Sequence, residues 1–168
     1  SAMPTNLYGP NDNYNLETSH LIPALLRKFY EAKLSNSTSV EVWGDGTPLR
    51  EFLYVDDCSK ACLFLMNEYD EKQFANVGSG VEHSIKQVSE IIKQKAGFNG
   101  VIEFNSTYPN GTPRKLMDVS KINNLGWKSE WSLESGIKDT LAMADKENQE
   151  AESEDKPRKQ LETPESTP

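Results

Sequence analysis

Six side chains that can bind a phosphate or a ring lie beside turns and at the ends of predicted helices and strands. They are an imidazole, an indole and four cations: His20, Trp43, Lys28, Arg50, Arg114 and Lys115. Guanidinium and ammonium groups pair with a diphosphate, and an indole stacks on a flat ring or a sugar ring. Scattered cations are also typical of a solvated surface, and a histidine at a helix start is commonly structural. The residues alone leave both interpretations open.

The first predicted helix carries two of these side chains. In the stretch SHLIPALLRKFYEAKL the apolar residues recur at helical spacing. Ser19 is the predicted N-cap, and Pro23 is tolerated in a first turn. His20 lies at the start of this helix, and Lys28 follows eight residues later. Because 3.6 residues make one helical turn, we expect the two side chains to project from a similar side.

Strand ends and loops carry the other four. Residues 3–7 predict a strand that ends in a polar loop, the kind of place where α/β enzymes bind ligands. The stretch VEVWGDGTPLREFLYV predicts a hairpin, in which Trp43 ends one strand and Arg50 begins the next. The later stretch STYPNGTPRK is predicted to be a loop, and it carries Arg114 and Lys115.

The remaining elements predict a mixed α/β fold with short strands. A helix begins near Asp56 or Asp57, and another runs from Ser84 to a stop at Gly97. The other predicted elements are a strand and turn in QFANVGSG, a strand in GVIEF, and helices in VSKINNLG and LESGIKDTLAMA.

Composition limits the domain organisation and the compartment. The chain has 168 residues, a net charge of −8 and 36% hydrophobic residues, which predicts an acidic protein with one domain and one core at residues 1–146. Residues 147–168 have one large aliphatic side chain, Leu161, and are predicted to be a disordered tail. Cys58 and Cys62 are four residues apart, which does not suit a disulfide framework, so we expect a reducing cytoplasm. The apolar runs are too short to span a membrane.

Several kinds of site are disfavoured. Gly78, Ser79 and Gly80 lack the third glycine of a dinucleotide-binding turn, so this stretch is predicted to be an ordinary turn. Neither His20 nor His83 has a metal-ligand partner at a suitable spacing, so no metal site is predicted. Basic residues are scattered and the chain is acidic, which argues against a nucleic-acid partner.

Five motifs, in order, resemble the GDP-L-fucose synthase family of extended short-chain dehydrogenases/reductases. They are MPTNLYGPNDNY, SHLIPALLRK, VWGDGTPLREFLYVDD, NVGSG and NGTPRKLMDVSKINNLGW. The resemblance runs from about Met3 to about Leu141. It implies the C-terminal part of a Rossmann-type sheet with a small mixed α/β substrate-binding domain.

The resemblance also implies that a dinucleotide-binding half is needed. In that family PTNLYGP follows a Tyr-x-x-x-Lys motif and a Gly-rich turn, and this sequence contains neither. The nearest matches, Tyr30 with Lys33 and Tyr69 with Lys72, are three residues apart. We therefore expect the C-terminal half of an enzyme, inactive without its N-terminal half.

The family's reaction is the NADP-dependent conversion of GDP-4-keto-6-deoxy-D-mannose to GDP-L-fucose. By resemblance His20 is the acid of the epimerisation, because an imidazole can give or take a proton near neutral pH. Two further sets are implied. The NADP-binding set is Pro4, Thr5, Asn6, Leu7 and His20. The set that binds the GDP-sugar is Lys28, Trp43, Arg50, Asn110 and Lys115. A homodimer is also implied.

Asn110 departs from the family, which commonly has aspartate at this position of the loop. Asparagine keeps an acceptor oxygen but adds donors and loses the charge. One alternative function stays open, a non-catalytic module that binds a nucleotide sugar or a partner. The residues upstream of Ser1 would separate the two, since a Gly-rich turn and Tyr-x-x-x-Lys there would favour the enzyme.

Overall fold

A computed structural model describes residues 1–154 of the chain as an α/β fold. Most strands pair in parallel and helices pack on them, which confirms the predicted fold class. Eight short strands are described: β1 (Ala2–Pro4), β2 (Asn6–Tyr8), β3 (Ser39–Trp43), β4 (Leu49–Tyr54), β5 (Ala75–Val77), β6 (Glu82–Ser84), β7 (Val101–Asn105) and β8 (Arg114–Lys115). The helices are α1 (Leu21–Leu34), α2 (Val55–Glu68), α3 (Ile85–Ala96), α4 (Ser120–Asn124) and α5 (Leu133–Glu154).

Strand β4 is the centre of the largest sheet. Its second half pairs in parallel with β2, and its first half pairs with β6 antiparallel and with β8 in parallel. In that register Arg50 lies opposite both His83 and Lys115. Strands β1 and β5 form a parallel pair, and so do β3 and β7. Because β8 and β2 both join β4, residues distant in sequence meet along one strand.

The predicted hairpin is wrong. Strand β3 pairs with β7, whereas β4 pairs with β2, β6 and β8, so the two strands joined by the Gly-rich turn belong to different sheets. Two glycines of the connecting turn, Gly44 and Gly46, have φ values of +84° and +80°. A glycine-rich turn favours a reversal of the chain, but it does not decide which strands pair.

The predicted helix ends are partly right. Ser84 caps α3 in a capping box with Gln87, and Gly97 ends the helix in the left-handed region, as predicted. At α1 the predicted cap is wrong, because His20 occupies the N-cap position and makes no side-chain capping bond. The Ser19 hydroxyl is buried without a hydrogen-bond partner in the structure.

The first predicted strand is divided in two, and the loop ends in a strand. Residues 3–7 contribute to β1 and β2, which are separated at Thr5 and join different sheets. The predicted loop STYPNGTPRK closes with β8. The break at Thr5 matters for the site, because it lets one short segment join two sheets.

Two buried clusters hold these elements together. The larger contains Phe29 of α1, Val42 of β3, Val88 of α3 and Ile137 of α5, with the other members packed around them. The smaller contains residues of β4, α2, β5 and α4, among them Val77 and Ile122. Strand β2 contacts both clusters, because Tyr8 belongs to the larger and Leu7 packs against the smaller.

The last helix extends to Glu154, eight residues into the segment predicted to be a tail. Residues 155–168 lie outside the described residues, so the boundary of the tail stays a prediction. Within residues 1–154 no helix is long and apolar enough to cross a membrane.

Candidate functional site

Three cavities meet at Asn6, which lines all of them. One cavity, of about 480 Å³, is lined by residues 4–12 with His20 and Val55, and we name it the cofactor-side cavity because it contains the predicted cofactor set. A second, of about 260 Å³, is lined by His20, Trp43, Arg50 and Asn110 among others, and we name it the substrate-side cavity because three of these belong to the predicted substrate set. A third cavity of about 440 Å³ includes Lys115. The structure thus brings residues that are up to 113 positions apart, from Pro4 to Met117, to one place.

The cofactor-side cavity contains all five residues of the predicted cofactor set, Pro4, Thr5, Asn6, Leu7 and His20. Two of their polar side chains already have partners, because the Thr5 hydroxyl and the Asn6 amide donate to the Glu51 carbonyl oxygen at 3.3 and 2.8 Å. The described lining residues include no lysine or arginine. This wall therefore suits a neutral, flat group better than a phosphate.

His20 lies between the cofactor-side and substrate-side cavities and lines both. Its carbonyl oxygen accepts from the Ala24 amide at 3.1 Å, so the backbone begins α1. Its imidazole makes no capping bond and has no hydrogen-bond partner among the described residues. The side chain is exposed and is available for a ligand.

Arg50 and Trp43 reach the substrate-side cavity from β4 and from the end of β3. One nitrogen of the Arg50 guanidinium donates to the Leu49 carbonyl oxygen at 2.8 Å. Its other N–H groups have no described partner. A guanidinium with free donors can bind a diphosphate in a bidentate manner.

Lys28 does not line any of the three cavities, but it contacts a residue that does. Its ammonium donates to the Glu41 carbonyl oxygen at 3.1 Å and lies 5.2 Å from the centre of the Trp43 indole. The Trp43 indole nitrogen donates to the Glu41 carboxylate at 3.2 Å. Lys28 and Glu41 therefore hold the indole at the mouth of the substrate-side cavity.

Asn110 joins the loop after β7 to the turn after β3. Its side-chain oxygen accepts from the Asp45 amide at 2.9 Å, and a Cβ on Gly44 would lie only 2.6 Å from that oxygen. The pKa of the exposed Asp45 carboxyl is lowered, mainly by hydrogen bonds from Thr47 and then by one from Asn110. At this position the amide serves as both acceptor and donor, a combination that a carboxylate does not offer.

Lys115 and Arg114 differ in what they contact. Lys115 lines the third cavity beside Pro4, Thr5 and Asn6. The neighbouring Arg114 also lines it, but its guanidinium forms an ion pair with Glu82 at 2.8 Å. Lys115 is therefore the less engaged cation of the pair.

Glu51, which the sequence analysis did not single out, is hydrogen-bonded to Asn6, the residue that lines all three cavities. It is fully buried, and its carboxylate accepts from the Gly80 amide at 2.7 Å and the Met117 amide at 3.0 Å. Gly78 leaves room for it, since an added Cβ there would overlap a carboxylate oxygen. Together with its carbonyl contacts to Thr5 and Asn6, Glu51 connects the cofactor-side segment to the chain that follows Lys115.

Tyr108 is the second residue that the sequence analysis missed. Its ring stacks on Trp43, with ring centres 4.5 Å apart and planes inclined by 12°. The available signal for Tyr108 was an aromatic residue in a polar loop. The available signal for Glu51 was an acidic residue within an apolar strand. Neither signal identifies a partner, because both contacts join segments that are distant in sequence.

Comparison with known proteins assigns the family. The profile of the NAD dependent epimerase/dehydratase family matches residues 1–78. "Putative GDP-L-fucose synthase 2" of Arabidopsis thaliana is 54% identical over 140 residues, which cover 83% of this chain. The chain belongs to the NAD-dependent epimerase/dehydratase family. The predicted resemblance is confirmed.

Other members of the family agree with this assignment. "GDP-L-fucose synthase" of Escherichia coli (strain K12) is 46% identical over 149 residues, covering 83% of this chain. A solved GDP-L-fucose synthetase from Naegleria fowleri bound to NADP is 32% identical, with a TM-score of 0.83 over 88% of this chain. The chain spans less than half of these proteins, 43% of the Arabidopsis one, 46% of the Escherichia one and 47% of the Naegleria one.

The family name implies a nicotinamide cofactor. The cofactor-side cavity suits the nicotinamide end of such a cofactor. Its described lining comes mainly from strand and loop residues, and Asp12 and the His20 imidazole are its only acidic or basic side chains among them. A nicotinamide ring is flat and carries an amide rather than a phosphate. Residues 4–7 and His20 therefore fit the nicotinamide end, whereas this cavity offers no cation for the phosphates.

Proposed function

We propose that this chain is the substrate-binding part of an NADP-dependent epimerase-reductase that converts GDP-4-keto-6-deoxy-D-mannose to GDP-L-fucose. The observation that supports this most is the position of His20. The same imidazole lines the cavity with the proposed cofactor residues and the cavity with Trp43, Arg50 and Asn110. An acid that exchanges protons with a sugar beside a nicotinamide needs this shared position.

His20 is proposed to act on the carbons that flank the ketone. The protons on carbons 3 and 5 are acidified by the carbonyl, so epimerisation requires a base on one face and an acid on the other. The exposed imidazole, which has no described hydrogen-bond partner, can supply the proton. The bound NADPH would supply the hydride for reduction at carbon 4.

The substrate set is proposed to hold the GDP group. Arg50 has free N–H donors for the diphosphate, and Lys115 adds a second cation beside Asn6. Trp43 offers a ring at the cavity mouth, held by Lys28 and Glu41. Asn110 fixes the loop that closes this side through its bond to Asp45.

The proposal extends to the complete protein, because the family's Gly-rich turn and Tyr-x-x-x-Lys motif are not in this sequence. We expect the complete protein to consume NADPH when GDP-4-keto-6-deoxymannose is added and to release GDP-L-fucose. We expect the 168-residue chain alone to show no substrate-dependent NADPH oxidation. Homodimer formation by the complete protein remains part of the proposal.

The experiment measures NADPH absorbance and identifies the sugar product by chromatography. GDP-L-fucose formation by the complete protein supports the proposal. A complete protein that binds GDP but never oxidises NADPH would favour the non-catalytic module instead. Turnover by the 168-residue chain alone would contradict the need for the dinucleotide-binding half.

A further inference from the structure

Two large aromatic rings lie exposed beside the substrate-side cavity. Trp43 is 55% exposed and Tyr108 is 39% exposed, and neither belongs to a buried cluster. Their stacking joins the end of β3 to the loop after β7. A contact between exposed rings at the surface adds little to a core, so its main consequence is to fix the plane of the rings.

The cavity is lined by Trp43 and not by Tyr108. Tyr108 therefore contacts the indole from outside the cavity. The stacked rings are 4.5 Å apart, which leaves no room for a third ring between them. The Lys28 ammonium also lies over the indole, 5.2 Å from its centre. A ligand ring that stacks on Trp43 must therefore use indole surface that Tyr108 does not cover, and it must displace Lys28 or lie beside it.

The loop that carries Tyr108 is held at both sides of the tyrosine. The Asn105 side-chain oxygen accepts from the Thr107 amide and hydroxyl at 3.1 and 2.6 Å. The Asn110 side-chain oxygen accepts from the Asp45 amide at 2.9 Å. These bonds keep the phenol ring against the indole without support from the hydrophobic core.

We infer that Tyr108 is a positioning residue that holds the Trp43 indole in the plane on which the base of a nucleoside diphosphate stacks. The diphosphate then extends into the cavity toward the free N–H groups of Arg50. An indole fixed before the ligand arrives loses less rotational freedom on binding, so affinity is gained through preorganisation. This inference rests on the proposed function, because it assumes that a nucleoside diphosphate occupies the substrate-side cavity.

The test measures GDP binding to the complete protein by calorimetry. Tyr108→Ala removes the stacking and is expected to weaken GDP binding by about two- to tenfold, the usual range for one aromatic pair. Tyr108→Phe keeps the ring and is expected to bind like the wild type. In turnover, Tyr108→Ala should raise KM for the nucleotide sugar and leave kcat nearly unchanged.

A double-mutant cycle separates positioning from a direct contact. If Tyr108 acts through the indole, Tyr108→Ala has no further effect in a Trp43→Ala background. Tryptophan fluorescence supplies a second readout. Tyr108→Ala should change the part of the emission that comes from Trp43, which is the part that Trp43→Phe removes. Leu34→Ala, which truncates an exposed apolar side chain at the end of α1, is the control and should bind GDP normally.

The outcomes distinguish this inference from the proposed function. Wild-type affinity in Tyr108→Ala, or an equal loss in the Trp43→Ala background, overturns the positioning role alone. A wild-type complete protein that does not bind GDP overturns the proposed function together with this inference. If Tyr108→Ala is poorly folded, Tyr108→Gln has the same expectation and replaces it.

Discussion

Arg50 and Glu51 are neighbours in β4, yet they belong to two different regions of the molecule. Arg50 lines the substrate-side cavity with free N–H groups, while Glu51 is fully buried and accepts two backbone hydrogen bonds. Successive strand residues point to opposite faces, so a single step along β4 separates the rim from its support. The rim consists of His20, Lys28, Trp43, Arg50, Asn110 and Lys115.

The difference predicts how the two regions respond to substitution. Rim side chains lie outside the two buried clusters, so changing them should alter binding or chemistry while the fold survives. The buried carboxylate satisfies backbone donors from distant segments, so changing it should destabilise the fold first.

The largest expected effect is on the rim. In the complete protein His20→Gln removes the proposed proton donor, and acid–base groups typically contribute about a hundred- to ten-thousand-fold to the rate. GDP-L-fucose formation should fall within that range, while the melting temperature stays nearly constant because the imidazole makes no described hydrogen bond. Product analysis and thermal unfolding measure the two quantities together.

Reduction does not need the proton that His20 is proposed to supply. The His20→Gln protein is therefore expected to reduce the unepimerised ketone and release a 6-deoxy-sugar of different stereochemistry. An unchanged epimerisation rate combined with a lower melting temperature would instead assign His20 a structural role and remove it from the rim.

The next effect is on the buried support. Glu51→Ala leaves the Gly80 and Met117 amides without their acceptor, and each unpaired buried donor costs about 1–3 kcal/mol. The free energy of unfolding should fall by about 2–6 kcal/mol in urea titrations. Glu51→Gln keeps one carbonyl acceptor and should lose less.

Glu82→Gln is the matched control for Glu51. It removes a carboxylate from the same sheet, but that carboxylate forms an ion pair with the exposed Arg114, and such pairs contribute about 0–1 kcal/mol. Equal losses at the two positions would show that burial of the Glu51 carboxylate does not set it apart from a carboxylate in a surface ion pair.

A smaller effect concerns Asn110 and its neighbour. Asn110→Asp keeps an acceptor for the Asp45 amide but places a second carboxylate beside Asp45 and removes an amide donor. The pKa of Asp45, which is lowered in the native protein, should rise toward its usual value. NMR titration of the Asp45 carboxyl carbon measures the change, and an unaltered titration would show that Asn110 does not stabilise the carboxylate.

The sign of the related pH effect follows from linkage. Because the folded pKa of Asp45 is depressed, its contribution to stability is present above the unfolded value and is lost as the pH falls through the folded pKa. Asn110→Asp should reduce the part of the acid-induced loss that comes from Asp45. The measurement is the midpoint of unfolding at pH values below about 4, where this smaller loss of stability should be seen.

The smallest effect is expected at His83, opposite Arg50 in the register of β6 and β4. Partial burial lowers the pKa of His83, and the Glu134 carboxylate opposes that shift. The unfolded chain therefore binds its proton first as the pH falls below about 6.5, and stability falls with it. His83→Gln should flatten stability between about pH 7 and pH 5, and an unchanged slope would exclude His83 as a source of the pH dependence.

Local signals explain where sequence-based prediction succeeded. The capping box at Ser84 and the stop at Gly97 depend on residues within a few positions, and α3 has the predicted ends. The helix after Asp56 and the strand at residues 101–105 follow local patterns in the same way. The motifs also identified the family, because their residues and order are properties of the sequence itself.

The sequence by itself determined the helices, the family and which side chains could bind a phosphate or a ring. Only the tertiary structure decided that β3 and β4 join different sheets, that Glu51 reaches Gly80 and Met117, and that Tyr108 covers Trp43. Helix formation and capping depend on neighbours within about one turn of the chain. Strand pairing, burial of a carboxylate and ring stacking depend on segments that are tens of residues apart, whose contact a local pattern does not specify.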